Sequence, residues 1–230
     1  MGPAEGIDLT SGALLASAVE LHSFASISHV ILDYLGTLAF AMSAALVAVE
    51  KKFDIVGLAV LAMVTAIGGG VLRDVIIGQH PPAAFTGFSH IGIALAAAGL
   101  VFLWQPPAKL TGWPLQVTDA LGLAVFCVTG TAVAAHSGLT EPSAALLGAM
   151  TAIGGGVIRD LLSGETPILL RPDSELYAIP AMLGASITAL LIHFGLYTDL
   201  TGLAAALAAF GLRMLAMRFH WHAPQARRRT

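Results

Sequence analysis

Seven segments of the chain are apolar for long enough to cross a lipid bilayer as helices. A transmembrane helix needs about 20 mostly apolar residues, and short polar stretches separate the seven segments from one another. The pattern therefore predicts an all-α integral membrane protein. The predicted spans cover residues 30–49, 54–77, 88–104, 117–136, 144–162, 176–196 and 200–217.

A ten-residue sequence occurs twice within these apolar segments, at residues 65–74 and again at residues 151–160. It reads Thr-Ala-Ile-Gly-Gly-Gly-Val-Leu-Arg-Asp, and the second copy differs only in having Ile158 where the first has Leu72. A gapless internal repeat of this kind is the first feature to settle when a fold is assigned. At the same offset of 86 residues the chain also aligns Asp33 with Asp119, Leu35 with Leu121, Gly36 with Gly122, Phe40 with Phe126, Ser43 with Thr129, Gly78 with Gly164 and Pro81 with Pro167.

Each copy of the repeat contains three predicted spans, so the second copy enters the membrane from the opposite face. Two such inverted halves are related by a pseudo-two-fold axis in the membrane plane, and functional sites in such folds lie near the bilayer midplane. The predicted organisation is an N-terminal periplasmic or interfacial segment (1–29), repeat 1 (30–115), repeat 2 (116–198), a seventh helix without a partner (199–218) and a basic cytoplasmic tail (219–230).

The composition supports the membrane assignment and argues against several functional classes. Hydrophobic residues make up 57% of the chain and charged residues 11%, and the mean hydropathy of +0.83 is far above that of a soluble domain. Cys127 is the only cysteine, which excludes an intrachain disulfide. The sequence contains no nucleophile triad, nucleotide loop or metal motif, so we expect no enzymatic activity, no cofactor and no nucleic-acid partner.

The basic residues outside the repeated sequence indicate how the chain is oriented. Cytoplasmic loops of membrane proteins concentrate Lys and Arg, and seven spans place nine of the eleven basic residues on one side. That side is predicted to be cytoplasmic, with the N-terminus outside the bacterial inner membrane and the C-terminus inside. The nine residues are Lys51, Lys52, Lys109, Arg171, Arg213, Arg218, Arg227, Arg228 and Arg229.

Three consecutive glycines interrupt the second and the fifth span. Glycine costs about 1 kcal/mol relative to alanine inside a helix, so each triplet favours a kink or an unwound turn. Backbone groups freed in this way need protein, water or ions as partners, which predicts a polar pathway with carbonyl groups that suit a cation. The alternative is that the small residues allow close helix packing. The triplets are Gly68, Gly69 and Gly70, and Gly154, Gly155 and Gly156.

An arginine and an aspartate follow each triplet within about one helical turn, as Arg73 and Asp74 and as Arg159 and Asp160. An unpaired arginine inside a bilayer is costly, and adjacent residues on a helix do not face each other. We therefore expect the arginines to have partners across the repeat interface. They either clamp the two halves together or line a pathway, and the two roles are compatible.

Further repeated polar residues lie near the starts and the middles of the spans. Asp33 and Asp119 are predicted to cap the helices of spans one and four, and the alternative is a position at the mouths of a conduit. Hydroxyl groups near mid-span are candidates for pore lining, and hydrogen bonds to their own helix backbone are the alternative. The hydroxyl residues are Ser43, Thr65, Thr129 and Thr151.

Seven spans, two inverted halves and the doubled Gly-Gly-Gly-Val-hydrophobic-Arg-Asp motif closely resemble the prokaryotic TRIC (trimeric intracellular cation) channels. Some catalogues name this family glycine transporters. The resemblance covers about residues 30–217. It implies a homotrimer in the membrane lipid, with a pore in each subunit formed mainly by spans one, two, four and five. It also implies kinks at both triplets, basic pore residues at Arg73 and Arg159, and passage of potassium and sodium ions.

Two other functions remain open from the residues alone. A carrier for a small zwitterion such as glycine would use the same inverted halves in alternating access, with half-helix N-termini binding the carboxylate. A purely structural membrane scaffold is the third hypothesis, and the buried arginines argue against it.

Overall fold

Seven α-helices and two short 3-10 helices make up the part of the chain that the structure describes, as the hydrophobic pattern predicts. The computed structural model describes the backbone of residues 9–105, 107–171 and 174–224, and the side chains of that part apart from residues 9–28 and 108–110. The α-helices are α1 (Leu9–Glu50), α2 (Ile55–Ile76), α3 (Ser89–Trp104), α4 (Ala108–His136), α5 (Glu141–Leu162), α6 (Ala178–His193) and α7 (Asp199–Phe219), and the 3-10 helices are Ala83–Phe85 and Ile168–Leu170.

Two of the helices begin well before their predicted spans. Helix α1 begins at Leu9, and its part that is apolar enough to cross a membrane is His29–Glu50. Helix α4 begins at Ala108 and contains Pro114 in its second turn. Both helices therefore extend on the N-terminal side of the apolar segment. Hydropathy alone cannot detect such an extension. The interfacial position of residues 1–29 stays a prediction, and its first eight residues lie outside the described part.

Five of the described helices, α1, α2, α4, α5 and α7, contain an apolar stretch long enough to cross a membrane. The other two, α3 and α6, are apolar but only 16 residues long, about 24 Å at the usual rise per residue. Large apolar side chains such as Phe88 and Leu200 are exposed on the outside of the bundle. An exposed apolar surface of this kind suits contact with lipid.

The centre of the bundle is formed by α1, α2, α4 and α5. Helix α3 packs on α1 and α2, and helix α6 packs in the same way on α4 and α5. Helix α7 has no counterpart in the first repeat and packs on α6 and α4. Each repeat thus contributes two central helices and one peripheral helix, and the repeats meet where α1 packs on α4 and α2 packs on α5.

Reciprocal contacts between α1 and α4 reveal the symmetry of this packing. A Cβ atom at Gly36 would lie 3.0 Å from the ring of Phe126, and a Cβ atom at Gly122 would collide with the ring of Phe40. Gly122 and Phe126 are the repeat counterparts of Gly36 and Phe40, so each of the two contacts is the repeat counterpart of the other. Because Gly36 precedes Phe40 while its contact follows Gly122, α1 and α4 run antiparallel, which is the arrangement that an inverted repeat requires.

Helices α2 and α5 end in the same turn. Gly78 and Gly164 each follow the helix with φ of +75°, a backbone conformation that glycine adopts without steric cost. The next amide in each copy donates a hydrogen bond of 2.8 Å to the carbonyl of Asp74 or of Asp160. These turns direct each chain toward its 3-10 helix and fix where the following loop begins.

Candidate functional site

The middle glycine of each triplet is the point where α2 crosses α5. A Cβ atom at Gly69 would collide with the carbonyl oxygen of Thr151, and one at Gly155 would lie 2.9 Å from the carbonyl oxygen of Thr65. Since Thr151 and Gly155 are the repeat counterparts of Thr65 and Gly69, these contacts also obey the pseudo-two-fold relation. The two helix backbones approach so closely that only glycine fits between them.

The α-helical structure continues through both triplets, over Ile55–Ile76 and over Glu141–Leu162. The expectation of an unwound turn with half-helices ending at residues 65–67 and 151–153 is therefore wrong. The physical reason is that close packing of small residues stabilises an intact helix against its neighbour, which is the alternative that the sequence left open. A bend at the triplets without loss of helical structure stays a prediction.

The third glycines of the two triplets have different surroundings. A Cβ atom at Gly156 would collide with the hydroxyl of Tyr177. A Cβ atom at Gly70 would meet nothing closer than an Arg73 nitrogen at 3.9 Å. The first glycines also differ, because Gly68 faces the end of the Ile158 side chain at 2.6 Å from an added Cβ while Gly154 has only ordinary contacts.

Two phenylalanines stack on each other where α1 packs on α4. Phe40 of α1 and Phe126 of α4 are buried, and their rings stack with centroids 5.4 Å apart and an interplanar angle of 26°. The absence of a side chain at Gly36 and Gly122 makes room for the rings. Sequence reasoning assigned them no role, although the repeated Gly-x-x-x-Phe spacing at both places was a detectable signal.

Each arginine of the repeated motif pairs with the aspartate next to it. Arg73 contacts the Asp74 carboxylate through Nε at 2.9 Å and a terminal nitrogen at 2.8 Å. Arg159 contacts Asp160 through the same two groups, both at 2.9 Å. The expectation that Arg73 pairs across the repeat interface is therefore wrong. Adjacent side chains leave a helix in different directions, but the long arginine side chain bends back far enough to reach its neighbour.

The second oxygen of each aspartate holds the loop that follows the helix. Asp74 Oδ2 accepts a hydrogen bond of 2.8 Å from the amide of Ala83, and Asp160 Oδ2 accepts one of 2.8 Å from the amide of Ile168. These amides belong to the first residues of the two 3-10 helices. The Arg-Asp pair thus has a structural role, in which the arginine neutralises a buried carboxylate that anchors the loop.

Arg159 has further partners that Arg73 lacks. Its NH1 nitrogen lies 2.5 Å from Asp119 Oδ1 of α4 and 3.1 Å from the hydroxyl oxygen of Ser43 in α1. Ser43 belongs to the first repeat, so this contact crosses the repeat interface as predicted. Charge-assisted hydrogen bonds of this kind are stronger than neutral ones. We call Arg159, Asp160, Asp119 and Ser43 the α5 cluster.

The predicted capping role of Asp33 and Asp119 is wrong, because both residues lie inside long helices rather than at their starts. Asp33 Oδ2 lies 2.7 Å from Nε2 of His90 in α3. His90 is half-buried against this carboxylate. We call Arg73, Asp74, Asp33, His90 and the nearby Thr129 the α2 cluster.

Tyr177 and Arg213 support the α5 cluster and were missed in the sequence. The Tyr177 hydroxyl lies 3.4 Å from Asp119 Oδ1, and the guanidinium of Arg213 stacks 5.1 Å above the Tyr177 ring. Arg213 also donates a hydrogen bond of 2.8 Å to the carbonyl of Leu176. Neither residue lies in a repeated pattern, and for this reason no sequence signal marked them.

The four candidate hydroxyl residues are all buried, but only two of them have hydrogen-bond partners in the described part of the chain. Thr151 donates to its own helix at the carbonyl of Leu147, and Ser43 accepts from Arg159. The hydroxyls of Thr65 and Thr129 have no partner there. An unpaired buried hydroxyl costs free energy, so these two groups mark positions that water or an ion can satisfy.

Two cavities approach the centre of the bundle from opposite ends. The cavity at the α5 cluster has a volume of about 520 Å³ and is lined by Asp119, Arg159, Asp160 and Arg213 among other residues. The cavity at the α2 cluster has a volume of about 330 Å³. It is lined by Asp33, Arg73, His90 and Thr129 among others. The two charged clusters therefore lie at opposite ends of the central helices and do not form one site.

An ion pair joins the two repeats at the rim of the larger cavity. Lys51, just after α1, contacts Glu165, just after α5, and Arg171 lies 3.3 Å from the other oxygen of that carboxylate. The hydrogen bond from Lys51 holds the pKa of Glu165 below its usual range. Both partners are partly exposed, so the pair adds little stability and mainly sets the charge at the cavity mouth.

The chain is similar to known membrane proteins over both repeats. A family profile described as Glycine transporter matches residues 30–106 and 116–193. A UPF0126 membrane protein of Streptomyces coelicolor is 43% identical over 195 residues, which are 84% of this chain and 88% of the relative. A UPF0126 membrane protein of Deinococcus radiodurans is 38% identical over 188 residues, 81% of this chain and 86% of the relative.

A solved structure carries the same arrangement of helices. The TRIC trimeric intracellular cation channel orthologue from Rhodobacter sphaeroides is 35% identical in sequence and superimposes with a TM-score of 0.78, over 83% of this chain and 97% of the orthologue. The two segments of the family profile coincide with the two three-helix repeats. The chain is thus a multi-pass membrane protein and belongs to the bacterial TRIC channel family, whose profile carries the description Glycine transporter.

Proposed function

We propose that this protein is a channel for monovalent cations, chiefly potassium together with sodium, and that each subunit of a homotrimer contains its own pore. The pore runs between α1, α2, α4 and α5. The observation that carries the proposal is the pair of cavities, about 520 Å³ and 330 Å³, that charged residues line at opposite ends of these four helices. The related Rhodobacter sphaeroides protein is described as a trimeric cation channel, which supports both the ion and the assembly.

The charges of the two clusters explain how a pore that contains arginines favours cations. In formal charges, Arg159 (+1) faces Asp119 and Asp160 (−2), so the three residues sum to −1. In the α2 cluster, Arg73 with Asp74 and Asp33 sums to −1 in the same way when His90 is neutral. A local excess of carboxylate attracts cations.

We expect the selectivity to be modest. The larger cavity is lined by four acidic and four basic residues, so its mouth is close to neutral as a whole. Selectivity then depends on the local excess of carboxylate at each cluster rather than on a ring of acids. The acidic residues are Glu50, Asp119, Asp160 and Glu165, and the basic residues are Lys51, Arg159, Arg171 and Arg213.

The structure corresponds to a closed pore in this proposal. We assign the buried, stacked rings of Phe40 and Phe126 as the barrier of this closed state, because a hydrophobic constriction excludes water and ions. The hydroxyls of Thr65 and Thr129 are buried and have no partner among the described residues. In this proposal they supply oxygen ligands to a hydrated cation once the rings separate.

The orientation follows from the basic residues at the end of the α5 cluster. Four basic residues lie on this side. Three of them are outside the helices, Lys51, Lys52 and Arg171, and Arg218 is in the last turn of α7. The positive-inside rule places this end in the cytoplasm and the α2 cluster on the outer side. The basic residues of 225–230 lie outside the described residues.

Single-channel recording of the purified protein in planar bilayers tests this proposal. We expect unitary currents in potassium chloride, with a reversal potential under a salt gradient that is displaced toward the potassium equilibrium potential, and a smaller current in sodium chloride. A reversal potential displaced toward the chloride value would contradict the proposed charge selectivity. Cross-linking in the membrane followed by mass measurement tests the trimer.

A carrier for a small zwitterion such as glycine is the second candidate. The closed centre with one cavity on each side supports it, because alternating access needs a barrier between two vestibules. The family profile carries the corresponding description. Saturable uptake of labelled glycine into proteoliposomes that show no unitary currents would favour the carrier over the channel.

A further inference from the structure

The two charged clusters are built from equivalent residues but are held in different states. In the α5 cluster, Arg159 binds Asp119 and the hydroxyl of Ser43 in addition to Asp160. The repeat counterparts of Asp119 and Ser43 are Asp33 and Thr129. In the α2 cluster, however, the hydrogen bonds of Arg73 to side chains go to Asp74 alone.

Asp33 and Thr129, the two groups that Arg73 does not bind, lie where a second arrangement of Arg73 could reach them. The Asp33 carboxylate is held by His90 instead, at 2.7 Å. The Thr129 hydroxyl is 2% exposed and has no partner among the described residues. Arg73, Asp33 and Thr129 all line one cavity of about 330 Å³, so Arg73 has space to reach them.

The peripheral helices carry the same difference. His90 of α3 and Tyr177 of α6 each approach the repeat aspartate of their own half. Tyr177 fills the space beside Gly156, whereas the corresponding space beside Gly70 is open. The two halves therefore differ in the local packing around the third glycine and in the partners of the arginine that follows it.

We infer that the protein alternates between two states of one gating arrangement. In the state described here the α5 cluster is bonded, and in the second state the α2 cluster is bonded instead. In the second state, Arg73 binds Asp33 and Thr129, and Arg159 releases Asp119 and Ser43. The second state resembles the first in its bonds, because Asp33 and Thr129 are the repeat counterparts of Asp119 and Ser43. This inference deepens the proposed function and rests on it only for the consequence that the exchange controls ion passage.

The exchange predicts that equivalent substitutions in the two repeats act in opposite directions. Asp119→Asn and Ser43→Ala weaken the state that the structure shows and favour the other one. Thr129→Val weakens only the second state and favours the first, because the Thr129 hydroxyl has no partner among the described residues in the first state. A charge-assisted hydrogen bond contributes enough to change an equilibrium between two states on the order of tenfold.

Cysteine labelling measures the exchange without any measurement of current. Single reporters are placed in the two cavities of a Cys127→Ala background, Val47→Cys on the α5 side, where Val47 is buried, and Val133→Cys on the α2 side. Each reporter is then labelled in detergent with a charged, water-soluble maleimide. We expect Asp119→Asn to raise the labelling rate of the Val47→Cys reporter and to lower that of the Val133→Cys reporter, each by on the order of tenfold.

Thr129→Val should change both rates in the reverse sense or, where the first state already dominates, lower the Val47→Cys rate alone. Thr188→Val is the matched control. The Thr188 hydroxyl is buried, lies outside both clusters and donates a hydrogen bond to the carbonyl of Gly184 in its own helix. If Asp119→Asn does not fold, Ser43→Ala carries the same expectation.

Substitutions in the two repeats that shift labelling in the same direction, or rates that do not change in either repeat, would overturn the exchange. Because labelling needs no ion flux, absence of current contradicts the channel and leaves this test unaffected.

Discussion

The backbone of Gly69 packs directly against the carbonyl group of Thr151, and the symmetry-related Gly155 packs against the carbonyl group of Thr65. These two contacts bring α2 and α5 together at the centre of the protein. The triplets are therefore required first for the approach of two intact helices. A side chain at Gly69 would force the two helices apart at this crossing point.

Gly69→Ala should destabilise the protein, because the added methyl group collides with backbone atoms that cannot move independently. Overpacking of this kind costs about 1–3 kcal/mol. The thermal unfolding temperature of the detergent-solubilised protein measures the effect. Gly70→Ala is the matched control, since its methyl group enters open space and gains helix propensity of up to about 1 kcal/mol. Equal unfolding temperatures for the two variants would contradict the assigned packing role.

Asp74→Ala should be far more damaging than Asp74→Asn. The alanine variant leaves the buried guanidinium of Arg73 without its carboxylate and the amide of Ala83 without its acceptor. Removal of one partner of a buried ion pair costs about 3–5 kcal/mol. Asparagine keeps an oxygen that can accept from Ala83. Thermal unfolding and limited proteolysis of the 78–88 loop distinguish the variants, and equal sensitivity to protease would show that Asp74 does not anchor this loop.

Gly156→Ala and Tyr177→Phe should show strong coupling. The alanine methyl group collides with the Tyr177 hydroxyl, and phenylalanine removes the atom with which it collides. We expect Gly156→Ala alone to lower stability by about 1–3 kcal/mol, and the double variant to recover most of that loss. Neighbouring residues commonly show interaction energies of about 0.5–3 kcal/mol in such cycles. Additive effects in thermal unfolding would mean that the alanine is accommodated in another way.

Phe40→Ala should increase ion leak through the protein, because it removes half of the stacked pair that we propose as the barrier of the closed pore. Truncation of a buried phenylalanine also costs about 3–5 kcal/mol of stability, so the variant is recorded at low temperature. Leu46→Ala is the control, since Leu46 is equally buried but packs in the cluster of α1, α2 and α3. A Phe40→Ala channel with the wild-type open probability would remove the rings from the gate.

The partner of Arg73 shows where sequence reasoning failed on chemistry. Helical geometry correctly places Arg73 and Asp74 on different faces. It says nothing about the reach of a side chain with four rotatable bonds, and at Arg73 this reach was sufficient for two contacts to Asp74. The different fate of Arg159 could not be predicted either, because the repeated sequences around the two arginines are nearly identical.

The prediction that Asp33 and Asp119 cap helices failed for a different reason. Hydropathy locates the part of a helix that lies in lipid, and both aspartates stand near the start of an apolar stretch. The helices themselves begin much earlier, at Leu9 and at Ala108. A carboxylate that looked like a cap from the pattern is thus an interior residue that needs a partner from another helix.

The sequence by itself determined the seven helices, the duplication with an inverted second half, and the residues that carry the charges. These features follow from local hydrophobicity and from identity at a constant offset, and neither depends on how helices pack. Only the tertiary structure decided that the triplets serve a close crossing of intact helices, that two phenylalanines close the centre, and that one half is bonded while the other is not. A duplicated sequence specifies equivalent groups, but distances between helices decide which of those groups meet.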